Sequence, residues 1–355
     1  MNITHIIFSL GVGGSENIMI DIINNQVKLG HTVNLVVINN GIKNNKKIGM
    51  SRELLDKIDN KVLIYKLNRP AGSRNIFYFF KLYFWLFRFK SDILHSHSAN
   101  LGKILKYYNR KKVMTIHAVG LSPKSLKYFD AIAAISKSVQ KYLLINGKFD
   151  STVIYNGIQT NLIKLKKRTQ SGEIKIVQIS RLVHEIKGQD ILINALSILV
   201  KQYKMTNVKC YFIGEGASYD YLQNLVKSLS LEKYVVFLGL KTREYVYKNL
   251  YTFDLLIQPS RYEGFGLTII EAMSAKVSVV VSNIDGPMEV IQEGKLGEAF
   301  ESENVEGLAE KIFYCINNKN EQKLEYIYNY AKENYDIKVT TNNYMSFYKK
   351  ILGEV

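Results

Sequence analysis

The sequence has few cysteines and few prolines, and both shortages limit what the chain can be. Its 355 residues include two cysteines, Cys210 and Cys315, and no Cys-x-x-Cys pair. This excludes a disulfide framework and a cysteine-based zinc site, and it favours a reducing, cytoplasmic location. Four prolines leave little room for long linkers, and a hydrophobic share of 47% excludes a disordered chain.

Long apolar runs are also absent from the sequence. No stretch reaches the roughly 18 to 20 apolar residues that a membrane-spanning helix requires. The first ten residues lack the basic start and the small-residue cleavage site of a secretory signal, and they predict a buried strand instead. We therefore expect a globular protein that reaches a membrane, if it does so, only from its surface.

Acidic residues are scarce in the first part of the chain. Residues 1–160 carry 23 basic and 8 acidic side chains, a net charge of +15, whereas residues 161–355 carry 25 and 23, a net charge of +2. Such a positive field attracts nucleic acid, an anionic membrane surface or a phosphorylated substrate. Charge alone does not choose among these three partners.

Short apolar runs alternate with amphipathic stretches in two successive series. This pattern predicts an α/β fold of two Rossmann-like, doubly wound domains, residues 1–165 and residues 166–335. Ligands of such sheets bind at the carboxyl ends of the strands, and we expect the active site in a cleft between the domains. A linker between the two domains is predicted where a basic cluster is followed by a serine and a glycine: Lys164, Lys166, Lys167, Arg168, Ser171 and Gly172.

A glycine-rich loop, Gly11 to Glu16, follows the first predicted strand and begins a helix. It does not match the dinucleotide-binding pattern, because Glu16 occupies the place of the third glycine and the second strand ends in Asn39 and Asn40 instead of an acidic residue. Two interpretations remain. The helix start can receive a phosphate, or the glycines only form a tight turn.

Two cations follow the strand at residues 175–180. Arg181 comes directly after it, and Lys187 precedes a predicted helix. A guanidinium and an ammonium at the end of a strand can hold a diphosphate and stabilise the negative charge on a departing nucleotide. Without further support, the pair is equally consistent with ordinary surface charge.

The stretch from Gln258 to Met273 is the most informative segment of the chain. Glu263 lies in a glycine-containing loop, and Glu271 lies about two turns into the helix that follows. Carboxylates suit sugar and ribose hydroxyls because an ionised carboxylate accepts several hydrogen bonds. Three further polar side chains are expected at or near strand ends, on the same side of the sheet as Glu263: Asp254, Ser282 and Glu289.

These motifs together resemble the retaining nucleotide-sugar glycosyltransferases of family 4, which have the GT-B architecture. The resemblance rests on Arg181 with Lys187, on FIGEG, and on EGFGLTIIEAM with Glu263 and Glu271 eight residues apart. The segments GGSEN, DILHSH, TIHA, AISKSV and VIYNGI extend it over nearly the whole chain.

The resemblance implies a role for each matching residue. Arg181 and Lys187 would hold the donor diphosphate, Glu263 the transferred sugar, and Glu271 the ribose. In the first domain, Gly14 would lie near the diphosphate and His117 beside the reacting sugar, and residues 336–355 would pack back on that domain. The backbone that lines the sugar and phosphate pocket would come from Gly264, Phe265, Gly266 and Leu267.

The histidines do not predict a metal site. His95 and His97 are two apart on one predicted strand and point the same way, but no third ligand is evident and no Asp-x-Asp pair occurs. His184 lies between Arg181 and Lys187, either touching the donor or merely exposed. We therefore expect a metal-independent enzyme without a cofactor. The resemblance implies that the donor phosphate assists deprotonation of the acceptor hydroxyl, and no protein nucleophile is assigned.

Residues 76–90 are unusually aromatic. Arg74, Lys81 and Arg88 recur every seven residues and form a basic stripe on a helix. One interpretation is a helix buried under the first domain. The other is an interfacial helix that inserts Trp85 and phenylalanines into an anionic membrane surface.

The predicted function is transfer of a hexose or N-acetylhexosamine from a UDP- or GDP-linked donor to a lipid-linked acceptor. The enzyme would lie on the cytoplasmic face of the inner membrane of a bacterium and build a surface polysaccharide, such as O-antigen, lipopolysaccharide or capsule. A nucleotide-sugar epimerase of the same fold is the alternative enzyme. A nucleic-acid-binding protein is disfavoured because no recognised nucleic-acid module is present.

Overall fold

The computed structural model describes residues 1–11, 13–40, 42–43, 46–47, 52–120, 122–166 and 172–354. The chain forms two compact units, Met1–Ile158 with Ile337–Val355 and Gln159–Asp336. The division falls earlier than the predicted boundary at residue 165. The reason is that Lys164 N donates to Tyr247 O at 3.0 Å and Lys166 N to Ala275 O at 3.1 Å, which ties this segment to the second unit. Three predicted linker residues, Lys167, Arg168 and Ser171, lie outside the described residues.

The first unit contains a seven-stranded parallel sheet in the order β5-β2-β1-β6-β7-β8-β9. Its strands are β1 Asn2–Ile7, β2 Thr32–Asn39, β5 Leu63–Arg69, β6 Ile93–Ser96, β7 Lys111–Ile116, β8 Ala131–Ala134 and β9 Thr152–Val153. A short antiparallel pair, β3 Ile42–Lys43 and β4 Lys46–Lys47, stands apart from this sheet.

Helices cover both faces of this sheet: α1 Gly14–Lys28, α2 Arg52–Asp56, α3 Ile76–Phe89 and α4 Lys137–Gly147. Because neighbouring strand residues point to opposite faces, Ile6 packs in the core cluster that contains α3, whereas Ile7 packs in the cluster that contains α1 and α2. Burial on both faces explains why the central strands β1 and β2 are largely apolar.

The second unit contains a six-stranded parallel sheet in the order β12-β11-β10-β13-β14-β15. This is the strand order 3-2-1-4-5-6 of Rossmann folds. Its strands are β10 Ile174–Ile179, β11 Val208–Ile213, β12 Val235–Gly239, β13 Leu255–Gln258, β14 Ser278–Ser282 and β15 Glu298–Phe300. Its helices are α5 His184–Lys187, α6 Gln189–Lys201, α7 Tyr219–Ser228, α8 Arg243–Asn249, α9 Leu267–Ser274, α10 Asp285–Val290, α11 Val305–Asn317 and α12 Glu321–Tyr335. The predicted fold class is confirmed.

The last helix, α13 Ile337–Leu352, belongs to the first unit and packs against α1. Tyr344 OH lies 2.9 Å from Thr115 Oγ1, and Tyr348 OH lies 2.6 Å from His95 Nδ1. Both tyrosine rings are fully buried, so the helix is part of the core of this unit. In the described part of the chain, no helix combines the length and the apolar character needed to cross a bilayer.

Candidate active site

The predicted donor-binding side chains of the second unit surround the place where its strand order reverses. Strands β10 and β13 are neighbours in the sheet, but their connections lead to opposite sides. The loop after β10 carries Arg181 and Lys187, and the loop after β13 carries Glu263. Such a switch point leaves a crevice at the carboxyl ends of the strands, where ligands of these sheets bind.

Lys187 and Glu263 form an ion pair at this switch point. Lys187 Nζ lies 2.7 Å from Glu263 Oε2, and both side chains are mostly buried. Gln258 Nε2 donates to the same oxygen at 2.7 Å, and Gln258 Oε1 accepts from Thr268 Oγ1 at 2.6 Å. Among the described residues, Glu263 Oε1 has no hydrogen-bond partner, so one carboxylate oxygen is held and the other is available.

Arg181 is exposed at the end of β10 while its backbone is fixed. Its carbonyl accepts from Val183 N at 2.9 Å and from Gln189 Nε2 at 2.8 Å. At the other end of the loop, Gln178 Nε2 donates to Lys187 O at 2.7 Å. Within the part of the chain that the structure describes, the Arg181 guanidinium has no carboxylate partner, so the loop presents an unpaired cation.

Two glycines allow the loops to approach each other closely. Gly188 has φ +64°, and a Cβ there would lie 1.9 Å from Pro259 O. A Cβ on Gly286, in α10, would lie 2.4 Å from Glu263 O. The loops that carry Lys187 and Glu263 are therefore in contact through their backbones, which sets the separation of the two side chains.

The helix after the Glu263 loop contains the other predicted donor residues. Gly266 has φ +110° and caps α9, which begins at Leu267. Phe265 is buried, with its ring centroid 5.9 Å from that of Tyr335. Glu271 is 9% exposed in the second turn of the helix. Burial raises the pKa of Glu271 to about 7, although the positive charge of Arg243 opposes this.

A connected group of histidines lies at the carboxyl ends of β6 and β7 in the first unit. His97 Nε2 is 3.0 Å from His5 Nδ1, and His97 Nδ1 is 3.3 Å from His117 Nε2. His5 Nε2 lies 2.8 Å from Gln26 Oε1, and an amide oxygen can only accept a hydrogen bond. With neutral rings, the hydrogen bonds then run in one direction. His117 Nε2 donates to His97 Nδ1, and His97 Nε2 donates to His5 Nδ1, which leaves a lone pair on His117 Nδ1.

The environment keeps these imidazoles neutral. Burial lowers the pKa of His5 and of His117 to about 4 and lowers those of His95 and His97 well below the usual value. His117 Nδ1 is buried and has no hydrogen-bond partner among the described residues. The cluster therefore ends in a buried acceptor nitrogen.

A third potential ligand, which was not evident from the sequence, lies beside His95 and His97. Potential ligand atoms of His5, His95 and His97 lie within 4.8 Å of one another, because β1 and β6 are paired. The nitrogens of His95 instead contact Thr115 Oγ1 at 2.7 Å and Tyr348 OH at 2.6 Å. In the structure these rings are members of a hydrogen-bonded network.

The glycine-rich loop of the first unit leads into α1 as predicted. Gly14 is the first residue of the helix, and Gly13 caps it. Ser15 Oγ donates to Glu16 Oε2 at 2.7 Å, so an acidic side chain already lies in the first turn. This carboxylate interacts favourably with the positive end of the helix dipole.

Two family models match adjacent parts of the chain. Glycosyltransferase Family 4 matches residues 12–162, and Glycosyl transferases group 1 matches residues 160–334. Together they span nearly all of both units. The chain belongs to glycosyltransferase family 4.

Solved structures agree with the fold of this glycosyltransferase. A glycosyltransferase from Rickettsia africae superposes with a TM-score of 0.82 at 23% identity and covers 99% of both chains. HepE of Anabaena, crystallised with UDP and glucose, has a TM-score of 0.79 at 22% identity and covers 98% of this chain and 99% of its own. The predicted GT-B fold is confirmed.

Curated relatives align over part of their length. An uncharacterised glycosyltransferase of Methanocaldococcus jannaschii is 29% identical over 65% of this chain and 67% of its own length. A poly(ribitol-phosphate) alpha-N-acetylglucosaminyltransferase of Staphylococcus aureus is 32% identical over 54% of this chain. The aligned part covers 41% of that protein, so the chain spans less than half of its length.

The glycosyltransferase contains supporting residues that the sequence analysis did not assign. Arg261 donates to both oxygens of Asp190 at 3.0 Å and to His184 O at 2.7 Å, which fastens the Glu263 loop to α5 and α6. His184 is not simply exposed, since its Nδ1 lies 2.8 Å from Ser218 Oγ and its ring stacks on Tyr221 at 4.1 Å. Arg261 could have been suspected, because it lies in the glycine-containing motif.

The expected position of Asp254 is wrong. It precedes β13 and therefore lies at the amino ends of the strands, away from Glu263. Its carboxylate accepts from Lys166 Nζ and Lys319 Nζ, both at 3.0 Å, and has a structural role. Ser282 does lie at a carboxyl end, where Oγ donates to Ser260 O at 2.5 Å, and Glu289 lies in α10.

The aromatic helix α3 is buried on one side and exposed on the other. Leu82, Leu86 and Phe89 are buried against the sheet. A row of phenylalanines remains 53% to 63% exposed and is called here the phenylalanine face: Phe77, Phe80, Phe84 and Phe87. Trp85 is half-buried, and its ring packs 4.4 Å from that of Tyr65. Arg74 and Arg88 are exposed, and Lys81 is half-buried.

Substitution of Glu271 tests its raised pKa. The unfolded chain loses this proton near pH 4.5, whereas the folded protein keeps it until about pH 7. The stabilising contribution is therefore complete below pH 4.5 and is lost as the pH rises through 7. Between pH 5 and pH 8 the free energy of unfolding should fall by up to about 3 kcal/mol more in the native protein than in Glu271→Gln. Urea unfolding at both pH values measures this, and equal pH dependence would contradict it.

Proposed function

We propose that this glycosyltransferase moves a sugar from a nucleotide-sugar donor to an acceptor hydroxyl, with retention at the anomeric carbon. The observation that carries the proposal is the Lys187–Glu263 pair at the switch point, with the unpaired Arg181 on the same loop as Lys187. A bound donor would place its diphosphate against the two cations and a sugar hydroxyl against Glu263 Oε1.

The remaining donor contacts follow from the same arrangement. Backbone amides from Gly264 to Leu267 lie at the start of α9 and suit phosphate or sugar oxygens. Ionised Glu271 would accept hydrogen bonds from ribose hydroxyls. In the first unit, the family resemblance assigns Gly14 to the diphosphate and His117 to the reacting sugar.

Transfer requires no protein nucleophile in this proposal. The bond between the anomeric carbon and the phosphate oxygen breaks while the acceptor oxygen forms its bond to the same carbon. The acceptor proton passes to the departing phosphate oxygen. Arg181 and Lys187 stabilise the negative charge that develops on the leaving diphosphate, an effect that is strong where water is excluded.

The named relatives support a narrower substrate class. The Anabaena structure contains UDP and glucose, and the Staphylococcus aureus relative is an alpha-N-acetylglucosaminyltransferase that acts on a poly(ribitol-phosphate). We therefore assign a UDP-linked hexose or N-acetylhexosamine as the first donor to test, with a GDP-linked hexose second. The acceptor is a lipid-linked glycan of surface polysaccharide synthesis.

Incubation with sugar nucleotides tests the reaction type. UDP-glucose, UDP-N-acetylglucosamine and a GDP-hexose are each supplied with and without membrane-extracted lipid-linked glycan. Release of nucleoside diphosphate that depends on the acceptor supports the transferase. Formation of a new sugar nucleotide without that release would establish the epimerase instead.

Metal independence is a second expected result. Charge on the diphosphate is countered by Arg181 and Lys187 in this proposal, so transfer should remain within about twofold in excess chelator. The rate of nucleoside diphosphate release is measured before and after chelator treatment, with magnesium and manganese added back. Complete loss of activity that a divalent metal restores would refute this assignment.

The phenylalanine face supports peripheral binding to the cytoplasmic face of the inner membrane. Exposed rings on one side of a helix, with Arg88 and Lys81 beside them, match the pattern of an interfacial helix. The excess positive charge of residues 1–160 would add attraction to anionic lipids.

Vesicle sedimentation tests this binding. Phe80→Ser with Phe84→Ser, and separately neutral glutamine replacements of Arg74, Lys81 and Arg88, should each reduce binding to anionic liposomes by at least about fivefold. Tyr326→Ser is the matched control, since this residue of the second unit is 61% exposed. Binding that none of these changes reduces would assign the face to another partner.

A further inference from the structure

A pocket of about 460 Å³ lies beneath the first half of α3, at the carboxyl ends of β2 and β5. Its apolar walls include Ile38 of β2, Leu67 of β5, and Phe79 and Leu82 of α3. Arg69 and Arg74 contribute to its lining at the segment that joins β5 to α3. The pocket therefore combines an apolar interior with two guanidinium groups.

The two arginines have no carboxylate partner in the part of the chain that the structure describes. Arg69 Nε is buried and forms no hydrogen bond to a described residue, and its guanidinium lies 5.9 Å from the centroid of the Phe8 ring. Arg74 is exposed. A buried donor without a partner is destabilising, and an anion that accepts from it removes this cost.

The chemistry of the walls selects an amphiphilic ligand. Guanidinium groups bind phosphate oxygens in a planar, two-point geometry. Ile38, Leu67 and Leu82 cannot hydrogen-bond and suit a hydrocarbon chain. A ligand that satisfies both regions carries a phosphate at the end of an apolar chain.

The position of the pocket agrees with such a ligand. It lies at the same edge of the sheet as His97 and His117, since these follow β6 and β7 at their carboxyl ends. Ile76, which begins α3, is 66% exposed and also lines the pocket. The pocket therefore adjoins the same helix whose phenylalanine face would meet the bilayer.

We infer that this pocket binds the phosphate end of the lipid that carries the acceptor glycan. The lipid phosphate contacts Arg69 and Arg74, and the first carbons of its chain lie against Ile38, Leu67 and Phe79. The inference rests on the proposed function for the identity of the lipid as acceptor carrier, although binding itself can be measured without any transfer reaction.

Fluorescence of Trp85, the single tryptophan of the chain, provides the measurement. Trp85 lies one turn beyond the pocket residue Leu82 on α3. Farnesyl diphosphate, below its micelle concentration and without vesicles, is the probe. A saturable change in emission is expected, with farnesol and inorganic pyrophosphate each at least about tenfold weaker because each satisfies only one region of the pocket.

Variants locate the binding. Arg69→Gln should weaken farnesyl diphosphate at least about tenfold and leave farnesol unchanged, because the variant removes only the phosphate contact. Arg110→Gln, an exposed arginine of the same unit outside the pocket, is the matched control and should bind as the native protein does. Thermal unfolding of each variant confirms that the protein is folded.

Three results would overturn the inference. Equal binding of pyrophosphate would indicate a simple anion site, equal binding of farnesol would indicate an apolar pocket for another ligand, and an unchanged affinity in Arg69→Gln would place the probe elsewhere. Protection of the native protein by UDP is measured in parallel. If farnesyl diphosphate binds but no nucleotide binds and no sugar is transferred, the proposed function is rejected and the lipid pocket is retained. If sugar is transferred but farnesyl diphosphate does not bind, the proposed function is retained and the lipid pocket is rejected.

Discussion

Replacing Lys187 or Glu263 by alanine should lower the rate of sugar transfer by about 100-fold to 1,000-fold, the range seen when one preorganised group that stabilises transition-state charge is removed. Lys187→Ala deletes a cation that faces the departing diphosphate. Glu263→Ala deletes the carboxylate that would hold the sugar. Steady-state release of nucleoside diphosphate, measured at saturating donor, gives the rate.

Both variants should remain folded, although each leaves the other member of the pair without its partner. Gln258 continues to hydrogen-bond Glu263 in Lys187→Ala, and the loop backbone remains tied through Gln178. Lys209→Ala is the matched control, since it removes a lysine that pairs with Glu173 at 3.8 Å at the amino ends of the strands. Turnover near that of the native protein in either test variant would refute the site.

The sequence predicted the parts of the site that are carried by local motifs. Lys187 and Glu263 were both assigned to the donor, and the structure places them 2.7 Å apart although they are 76 residues apart in the chain. The resemblance to family 4 supplied these assignments. The position of each loop after a strand agrees with them, because the carboxyl ends of parallel strands share one edge of the sheet.

Other features depend on contacts that no local pattern reveals. His5 lies in the middle of a buried strand, and only the pairing of β1 with β6 brings it to His95 and His97. Trp85 is half-buried, and only the fold brings Tyr65 of β5 against its ring, with the centroids 4.4 Å apart. Asp254 was misplaced although it immediately precedes β13, and the start of a parallel strand lies at the edge of the sheet opposite the Glu263 loop.

The buried glutamines explain why the site has a defined shape before any ligand binds. Gln178 and Gln258 lie on the neighbouring strands β10 and β13, and each holds one partner of the ion pair. Gln189 holds the carbonyl of Arg181. Neutral amides can fix these groups without adding a charge that would compete with a diphosphate. These amides tie the loops that carry Arg181, Lys187 and Glu263 to the second unit's framework.

Gly188→Ala should strongly destabilise the second unit. The added Cβ would lie 1.9 Å from Pro259 O, and the backbone at φ +64° disfavours any side chain. Because the residue is buried between the Lys187 loop and the Glu263 loop, the two loops must separate. We expect a loss of about 2 to 4 kcal/mol in the free energy of unfolding, the range for strain combined with overpacking.

The same change should reduce transfer by at least about 100-fold, because displacement of positioning groups by about 1 Å has that effect on reaction geometry. The control Gly294→Ala separates the effect of backbone strain from the effect of the steric collision. It has φ +95° with no atom within 4 Å of the added Cβ, so it carries the backbone strain without the collision. That control should lose only about 1 kcal/mol and keep its activity. Equal effects of the two substitutions on unfolding and transfer would show that contact between the loops does not determine the separation of Lys187 and Glu263.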